Sequence, residues 1–537
     1  MARVYGIDLG TTYSCIASYD GNNKPEALHP SNAVSGGVNL PSVIYYEKET
    51  GKPVVGVSSK NALGAPGEVG RIMTYTKRYM GQDFYPKKIR VVNDEINISP
   101  VEGSACILHH LLSCANEESR GKGEEVTNKA VITIPAGFTN KQRECTKLAA
   151  ELAGIEVLGL VHEPTAAAIS YDIKSGETIL VFDLGGGTLD VSVVTNDKGN
   201  YKVIAAAGDY DVLGRNIGGK DWDDKLMELA MKKHGYKLGG IPNTPEETEK
   251  WQLMSKIEDC KKDLSSRQET EVFFPDFTRE KITKKDFWNY TDDLVKDCLK
   301  VVKATLEKAG SVNIDRCVLA GGSSNMPMIK FSISRYLSER IANNRSEDKW
   351  LFVSNPERAI AEGAARYAYM LTNDIAKDHG VLVSVEEKSS HSYGTKIQLR
   401  TTGDMLIRNL ILSSDPMIVD SRPFEFGVME DGQPDVHIDI YENNSMEKRI
   451  PYDSKVRQIY DGVYNFDSKS KVNKSDTRVF FKVSRNKDGI ISIHVESQGH
   501  HSEDYNISTV MPPITEETKK HIAQSLELMD KITEERK

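Results

Sequence analysis

Apolar and polar positions along the 537 residues change rhythm near residue 377. Before that point, short apolar runs alternate with segments whose apolar residues recur every three and four positions. Residues 130–134 have the continuous apolar character of a buried strand and stop at Pro135. Helical spacing follows over 140–153, with Leu148, Leu152 and Ala153 on the apolar side and Gly154 ending it. Residues 157–161 read as the next strand, and Pro164 stands in the first turn of an alanine-rich helix over 166–171. Long amphipathic helices are predicted over 246–266 and 291–309, a strand over 316–319 and a last helix over 357–371. Strands alternating with helices predict an α/β domain over 1–377.

Residues 378–391 mix charge, serine and glycine around Val381, Leu382 and Val383 and read as an interdomain linker. From 392 to 510 the apolar positions alternate with period two, at 396–399, 424–428, 436–441 and 479–483. An Asp488-Gly489 turn then leads to 490–495, a hairpin signal. This region is predicted to be mostly β. The remaining 511–537 is a short charged helical tail with Ile522, Leu526 and Met529 on one side.

Charge narrows the classes of function. Asp and Glu outnumber Lys and Arg by 78 to 69, a formal net charge of -9, which argues against a general nucleic-acid or membrane-surface binder. No apolar run reaches the about 18 residues of a membrane span. The seven cysteines are scattered without CxxC pairs, as expected of free thiols in a reducing compartment, and a strand begins almost at residue 1; together these predict a cytoplasmic protein.

The candidate chemistry lies in a glycine-rich acidic turn that occurs twice, as Asp8-Leu9-Gly10-Thr11-Thr12 and as Asp183-Leu184-Gly185-Gly186-Gly187-Thr188-Leu189-Asp190. Apolar runs flank each copy, the pattern of a β-hairpin with a small tip. Bare glycine backbone admits a polyphosphate, threonine hydroxyls donate to it, and strand-end aspartates suit Mg²⁺ held through water. Gly321-Gly322-Ser323 supplies a third glycine turn at a strand end. A lone turn of this kind is more often only a turn; the repetition is what points to ATP. No GxxxxGK[ST] stretch and no Rossmann-type GxGxxG is present.

These motifs resemble those of the Hsp70 molecular chaperones. The two acidic turns resemble the family's phosphate motifs, His162-Glu163-Pro164-Thr165 the segment joining its halves, and Leu319-Ala320-Gly321-Gly322-Ser323 its adenosine motif. Gly208-Asp209 with Gly218-Gly219-Lys220-Asp221 resembles a further signature. The resemblance implies an actin-like, duplicated ribonuclease H-like ATPase domain followed by a β-sandwich and a truncated helical lid. It implies slow ATP hydrolysis, ATP/ADP and Mg²⁺ as cofactors, and extended apolar polypeptides as clients. A J-domain co-chaperone and a nucleotide exchange factor are implied as partners, with roles in protein folding and stress response.

Carried over residue by residue, the resemblance makes Lys77, Glu163, Asp183 and Thr188 catalytic, and Asp8, Asp183 and Asp190 the metal side. Gly10, Thr11, Thr12, Tyr13, Gly185, Gly186, Gly187, Gly218, Gly219, Gly321, Gly322 and Ser323 would surround the nucleotide. Glu258, Lys261, Lys262 and Ser265 would hold ribose and adenine; their spacing shares one helix face, which without the motifs reads as an ordinary solvated face. Pro135 and Arg143 match residues that couple the domains. Phe424, Val436 and Ile438 are candidate groove residues, with core packing an equal or better reading. Asn325 stands where the family usually carries an arginine, the linker is weaker than the family's, and the tail is short. These departures imply a divergent bacterial member. A nucleotide-regulated adaptor for one partner is the alternative function, and a small-molecule kinase of the same superfold fits less well.

Overall fold

The computed structural model describes residues 3–535 apart from 23, 35–36, 136, 172, 199, 242–243, 342–345, 354–357, 373–384, 387–390, 400, 413–414, 416–418, 444, 454–455, 469–470, 487–489 and 507–515. The predicted linker therefore falls almost wholly outside the described residues, as does the Asp488-Gly489 turn. Two compact units are present: residues 1–136, 145–385 and 516–537 form one, and 137–144 with 386–515 the other.

The first unit contains the same sheet twice. Val4–Asp8 (β1), Tyr13–Tyr19 (β2), Glu26–Ala27 (β3), Lys129–Ile134 (β4) and Glu156–His162 (β5) run in the order β5-β4-β1-β2-β3. Thr178–Leu184 (β6), Leu189–Asp197 (β7), Asn200–Gly208 (β8), Arg316–Ala320 (β9) and Leu351–Val353 (β10) repeat it as β10-β9-β6-β7-β8. In each sheet a three-strand antiparallel meander is extended by two parallel strands. Strands β1, β4, β6 and β9 are buried almost throughout, which is why they read as unbroken apolar runs.

The helices that matter for the site are Val57–Ala62 (α1), Pro100–Gly121 (α2), Asn140–Leu152 (α3), Glu163–Ser170 (α4), Gly219–His234 (α5), Glu246–Ser266 (α6) and Ala359–Thr372 (α7). Helix α6 has the bounds its periodicity predicts. The predicted helix 291–309 is observed as Asp292–Ala309, with Lys284–Tyr290 a separate helix before it. Alanine in α4 and α7 has a packing cause. Ala166, Ala167, Ala168, Ala364 and Ala368 share one core, and a Cβ on Gly363 would strike the Ala166 backbone. The two helices cross backbone to backbone, which only small residues allow.

The second unit has two five-stranded antiparallel sheets. Its strands are Ser392–Gln398 (β11), Met405–Ile411 (β12), Val419–Asp420 (β13), Phe424–Gly427 (β14), Asp435–Asn443 (β15), Arg449–Pro451 (β16), Arg457–Asn465 (β17), Arg478–Arg485 (β18), Ile491–Ser497 (β19) and Glu503–Asn506 (β20). One sheet runs β16-β12-β11-β15-β17; in the other β13 and β14 both pair with β18, followed by β19 and β20. Ile411, Ile438 and Ile440 of the first join Val479, Phe481, Ile491 and Ile493 of the second in one apolar core.

Glu516–Glu535 (α8), the tail helix, belongs to the first unit and packs on α2. Ile522 and Leu526 are buried there. Beside them Ser525 Oγ donates to Glu102 Oε1 at 3.1 Å, and His521 Nδ1 lies 2.9 Å from Glu102 Oε2. Tyr46 donates to the same buried carboxylate at 3.1 Å. The apolar stripe of the tail was legible in its sequence; its seat on α2 was not.

Candidate active site

Two equivalent hairpin tips meet at a cavity of about 630 Å³ in the first unit. Asp8 ends β1 opposite Cys15, and Asp183 near the end of β6 faces Asp190 on β7. The first tip contributes Gly10, Thr11, Thr12 and Tyr13 to the cavity wall, and the second Gly185, Gly186 and Thr188. Gly219, Gly321, Gly322 and Ser323 complete this part of it. Gly187 and Gly218 stand behind the lining: a Cβ on Gly187 would overlap Thr11, and one on Gly218 would lie 2.5 Å from the Gly187 nitrogen. The tips therefore touch through bare backbone and threonine side chains, with the Gly10 N–H donating to Ser14 Oγ at 3.1 Å and the Gly185 N–H to the Thr188 carbonyl at 3.0 Å.

The acidic end of the cavity is organised around one lysine. Lys77 lies in the short turn Thr76–Tyr79, which follows Tyr75 in the left-handed region at φ 56°. Its ammonium forms a buried ion pair with Glu163, the first residue of α4. Asp8, Asp183 and Asp190 stand around this pair. Thr133 donates to Asp8 Oδ1 at 3.2 Å, whereas Asp183 Oδ2 is buried without a hydrogen-bond partner.

Four carboxylates around one ammonium leave a surplus of buried negative charge, and the titration directions follow. Burial pushes Asp8 up to about 7, the nearby Glu163 adds to the rise, and Lys77 opposes it. Asp183 and Asp190 are pushed well above the carboxylate range by burial first and Glu163 next. Burial alone would lower Lys77; the charges of Glu163 and Asp8 outweigh it and hold the ammonium above its ordinary value.

The other end is built on Glu258 of α6. Lys60 Nζ from α1 reaches Glu258 Oε2 at 2.6 Å, Lys262 Nζ reaches Oε1 at 2.9 Å, and Tyr13 donates to Oε1 at 2.7 Å. Burial would raise the Glu258 carboxyl, but the two lysines hold it well below the usual range. Lys261 lines the cavity with them, and its Nζ reaches Asp223 Oδ2 at 2.7 Å and the Gly219 carbonyl at 3.0 Å. Ser265 donates to the Lys261 carbonyl at 3.3 Å and lines the cavity, as does Asn325.

Sequence reasoning missed two residues here. Lys60 carries no motif and is recognisable only from its contact with Glu258. Arg78, adjacent to Lys77, donates to the Gly187 carbonyl at 2.7 Å and to Asp221 at 3.2 Å, pinning the second tip to the start of α5. The remaining predicted residues lie elsewhere. Pro135 follows β4, and Arg143 is buried in α3. In the second unit Ile438 is enclosed in the core, and Phe424 and Val436 pack against that core half-buried.

A family model described as Hsp70 protein matches residues 4–537. The chain belongs to the Hsp70 family. Members of this family are ATPases that bind ATP and ADP with Mg²⁺ and act as ATP-dependent chaperones on polypeptide clients, with co-chaperones. The mixed α/β architecture agrees with that membership. Among the described residues of this Hsp70 chain, no helix is long and apolar enough to cross a membrane.

Proposed function

We propose that this Hsp70 protein hydrolyses ATP by in-line attack of water on the γ-phosphate, with the phosphates between the glycine tips and the nucleoside toward Glu258. The observation that carries the reading is the buried Lys77–Glu163 pair set between Asp8 and Asp183 at one end of the cavity, with the buried Asp190 carboxyl acting on the same ammonium. Lys77 and Glu163 orient the water and the phosphoryl group, a positioning role that needs no covalent intermediate. Thr11, Thr12 and Thr188, with the backbone N–H group of Gly186, donate to oxygens whose charge grows in the transition state, and Gly10, Gly185 and Gly187 let the backbone come close to them.

Asp8, Asp183 and Asp190 would hold Mg²⁺, largely through its water shell. The surplus of buried carboxylates and the partnerless Asp183 Oδ2 fit a divalent cation. When bound, the ion supplies neutralisation of phosphate charge. Tyr13, Glu258, Lys261, Lys262 and Ser265 form the nucleoside end, with Lys261 also fixing Gly219 and the start of α5; Gly218, Gly321, Gly322 and Ser323 keep the backbone close.

The repeated sheet supports the actin-like reading of residues 1–377, and the shared core of two sheets supports a β-sandwich over 392–510. In this reading 378–391 is the linker and 511–537 a short tail. Pro135 and Arg143 couple nucleotide state to client binding. Ile438 serves the core, so Phe424 and Val436 are the better groove candidates.

One experiment tests both halves: ATP turnover and release of a fluorescent apolar peptide are followed together on the full chain. Peptide release on ATP addition supports the chaperone reading. Turnover that is unaltered by Lys77→Ala overturns the site. Peptide binding in neither nucleotide state overturns the client role and makes the second unit an adaptor for one partner.

A further inference from the structure

Six of the seven cysteines are buried, and Cys114 on α2 is partly exposed. Its Sγ lies 3.6 Å from His110 Nε2, one helical turn earlier, and 3.2 Å from Ser31 Oγ. The same Nε2 lies 2.9 Å from the Ser31 carbonyl oxygen. A carbonyl only accepts, so Nε2 carries a proton and presents its N–H to both oxygen and sulfur. The sulfur thus faces an imidazole N–H and a hydroxyl, two donors that stabilise a thiolate.

We propose that Cys114 is a thiol–disulfide exchange site whose co-reactant is a low-molecular-weight disulfide such as glutathione disulfide. The Cys114 thiolate attacks one sulfur of the disulfide, the S–S bond breaks, and the departing thiolate takes a proton from water. The product is one mixed disulfide and one free thiol, with no further oxidant needed.

The surroundings agree with this chemistry. Burial would raise the thiol, but the His110 hydrogen bond and charge bring it below its ordinary value. Burial would lower His110, and Cys114 holds it up instead. Glu117 also acts on His110 from the same helix. Glu118 is engaged elsewhere, by Lys122 at 2.7 Å and by the His29 N–H at 3.2 Å.

An adduct on Cys114 has a structural route to the nucleotide cavity. Ser31 precedes Asn32, whose carbonyl accepts from the Val57 N–H at 2.8 Å and whose Oδ1 accepts from the Ser58 N–H at 3.1 Å. Those two residues start α1, which carries Lys60. Displacing Ser31 loosens the seat of α1 and with it the hold of Lys60 on Glu258. This second step rests on the proposed nucleotide site.

The full-length native chain is incubated with glutathione disulfide between pH 6 and 9, and modified cysteines are located by peptide mass mapping. Cys114 is expected to react about tenfold faster than any other cysteine, with a rate midpoint below the about 8.5 of a free thiol. His110→Ala is expected to slow it about tenfold at pH 6.5 and to move the midpoint upward. Ser31→Ala provides a second variant if the first does not fold. Reaction no faster than at the buried cysteines, or a midpoint equal to that of glutathione, overturns the site. Release of a fluorescent ADP analogue is expected to quicken about threefold on modification in the native chain but not in Cys114→Ser. Unchanged release at full modification overturns the coupling, whereas failure of the analogue to bind at all counts against the nucleotide site alone.

Discussion

Lys60 and Glu258 join α1 to α6 through a 2.6 Å ion pair on the wall of the nucleotide-sized cavity, with Tyr13 bonded to both residues. The pair is sheltered but not sealed, with side-chain exposures of 28% and 16%. Such a contact contributes about 1 kcal/mol, close to fivefold in a rate that requires its rupture. Lys60→Ala should therefore speed ADP release roughly five- to tenfold in stopped-flow displacement. Hydrolysis per bound ATP should stay unchanged, because Lys60 stands at the opposite end from Lys77.

Lys77→Ala should reduce single-turnover ATP hydrolysis by roughly 10²–10⁴-fold while nucleotide still binds, the scale for lost transition-state positioning. Rapid quench on the preformed complex measures it directly. A rate within a factor of about three of the native chain would remove Lys77 from the mechanism.

Asp183→Asn separates stability from function. The native carboxylate is buried among like charges with one oxygen lacking a hydrogen-bond partner. The amide should stabilise the nucleotide-free protein by about 1–2 kcal/mol, a gain of about 1–3 °C in Tm. The same change should lower Mg²⁺-dependent nucleotide affinity at least about tenfold. Scanning fluorimetry with Mg²⁺ and with chelator reads both effects; chelation should lower the Tm of the native chain and leave the variant almost unmoved.

The acidic cluster also sets a pH dependence. Asp8 titrates at about 7 in the folded protein, against about 3.9 when unfolded. Its folded value is raised, so the folded state binds the proton more tightly. The penalty of ionising it is fully present above pH 7 and is relieved as pH falls toward 4. Without nucleotide and metal, the Tm should rise as pH is lowered from 8 to about 5.5, and Asp8→Asn should flatten that slope.

The tail helix α8 should respond to pH in the same direction. His521 is held above its ordinary value, first by its hydrogen bond to Glu102. Stabilisation from this contact is fully present below the unfolded histidine value of about 6.5 and is lost as pH rises through the folded one. Hydrogen exchange across α8, corrected for intrinsic rates, should be faster at pH 8.5 than at pH 6. Ile522→Asp should abolish the protection at both.

What was legible in the sequence was whatever a local pattern could carry. The hairpin tips were visible because Asp-Leu-Gly must sit between apolar runs, and α6 was visible because its periodicity is unbroken. Lys60 was not, since its role depends on a partner almost two hundred positions away on another helix. Lys261 lines the cavity, but its ion pair with Asp223 was not legible, being made with a neighbouring helix. Strand β17 escaped notice because Arg457, Asp461 and Asn465 blur its alternation. Ile438 was offered as a groove residue, yet strand alternation cannot tell a core face from a binding face.

The crossing of α4 and α7 has a mechanical consequence. Because a Cβ on Gly363 would strike the Ala166 backbone, the two helices reach this separation only while position 363 carries no side chain. Glu163 begins α4, so any larger residue at 363 would push the partner of Lys77 out of place. The alanines that looked like simple helix formers thus set a tolerance, and the place of the Glu163 carboxylate is gauged by the thickness of bare backbone between two helices.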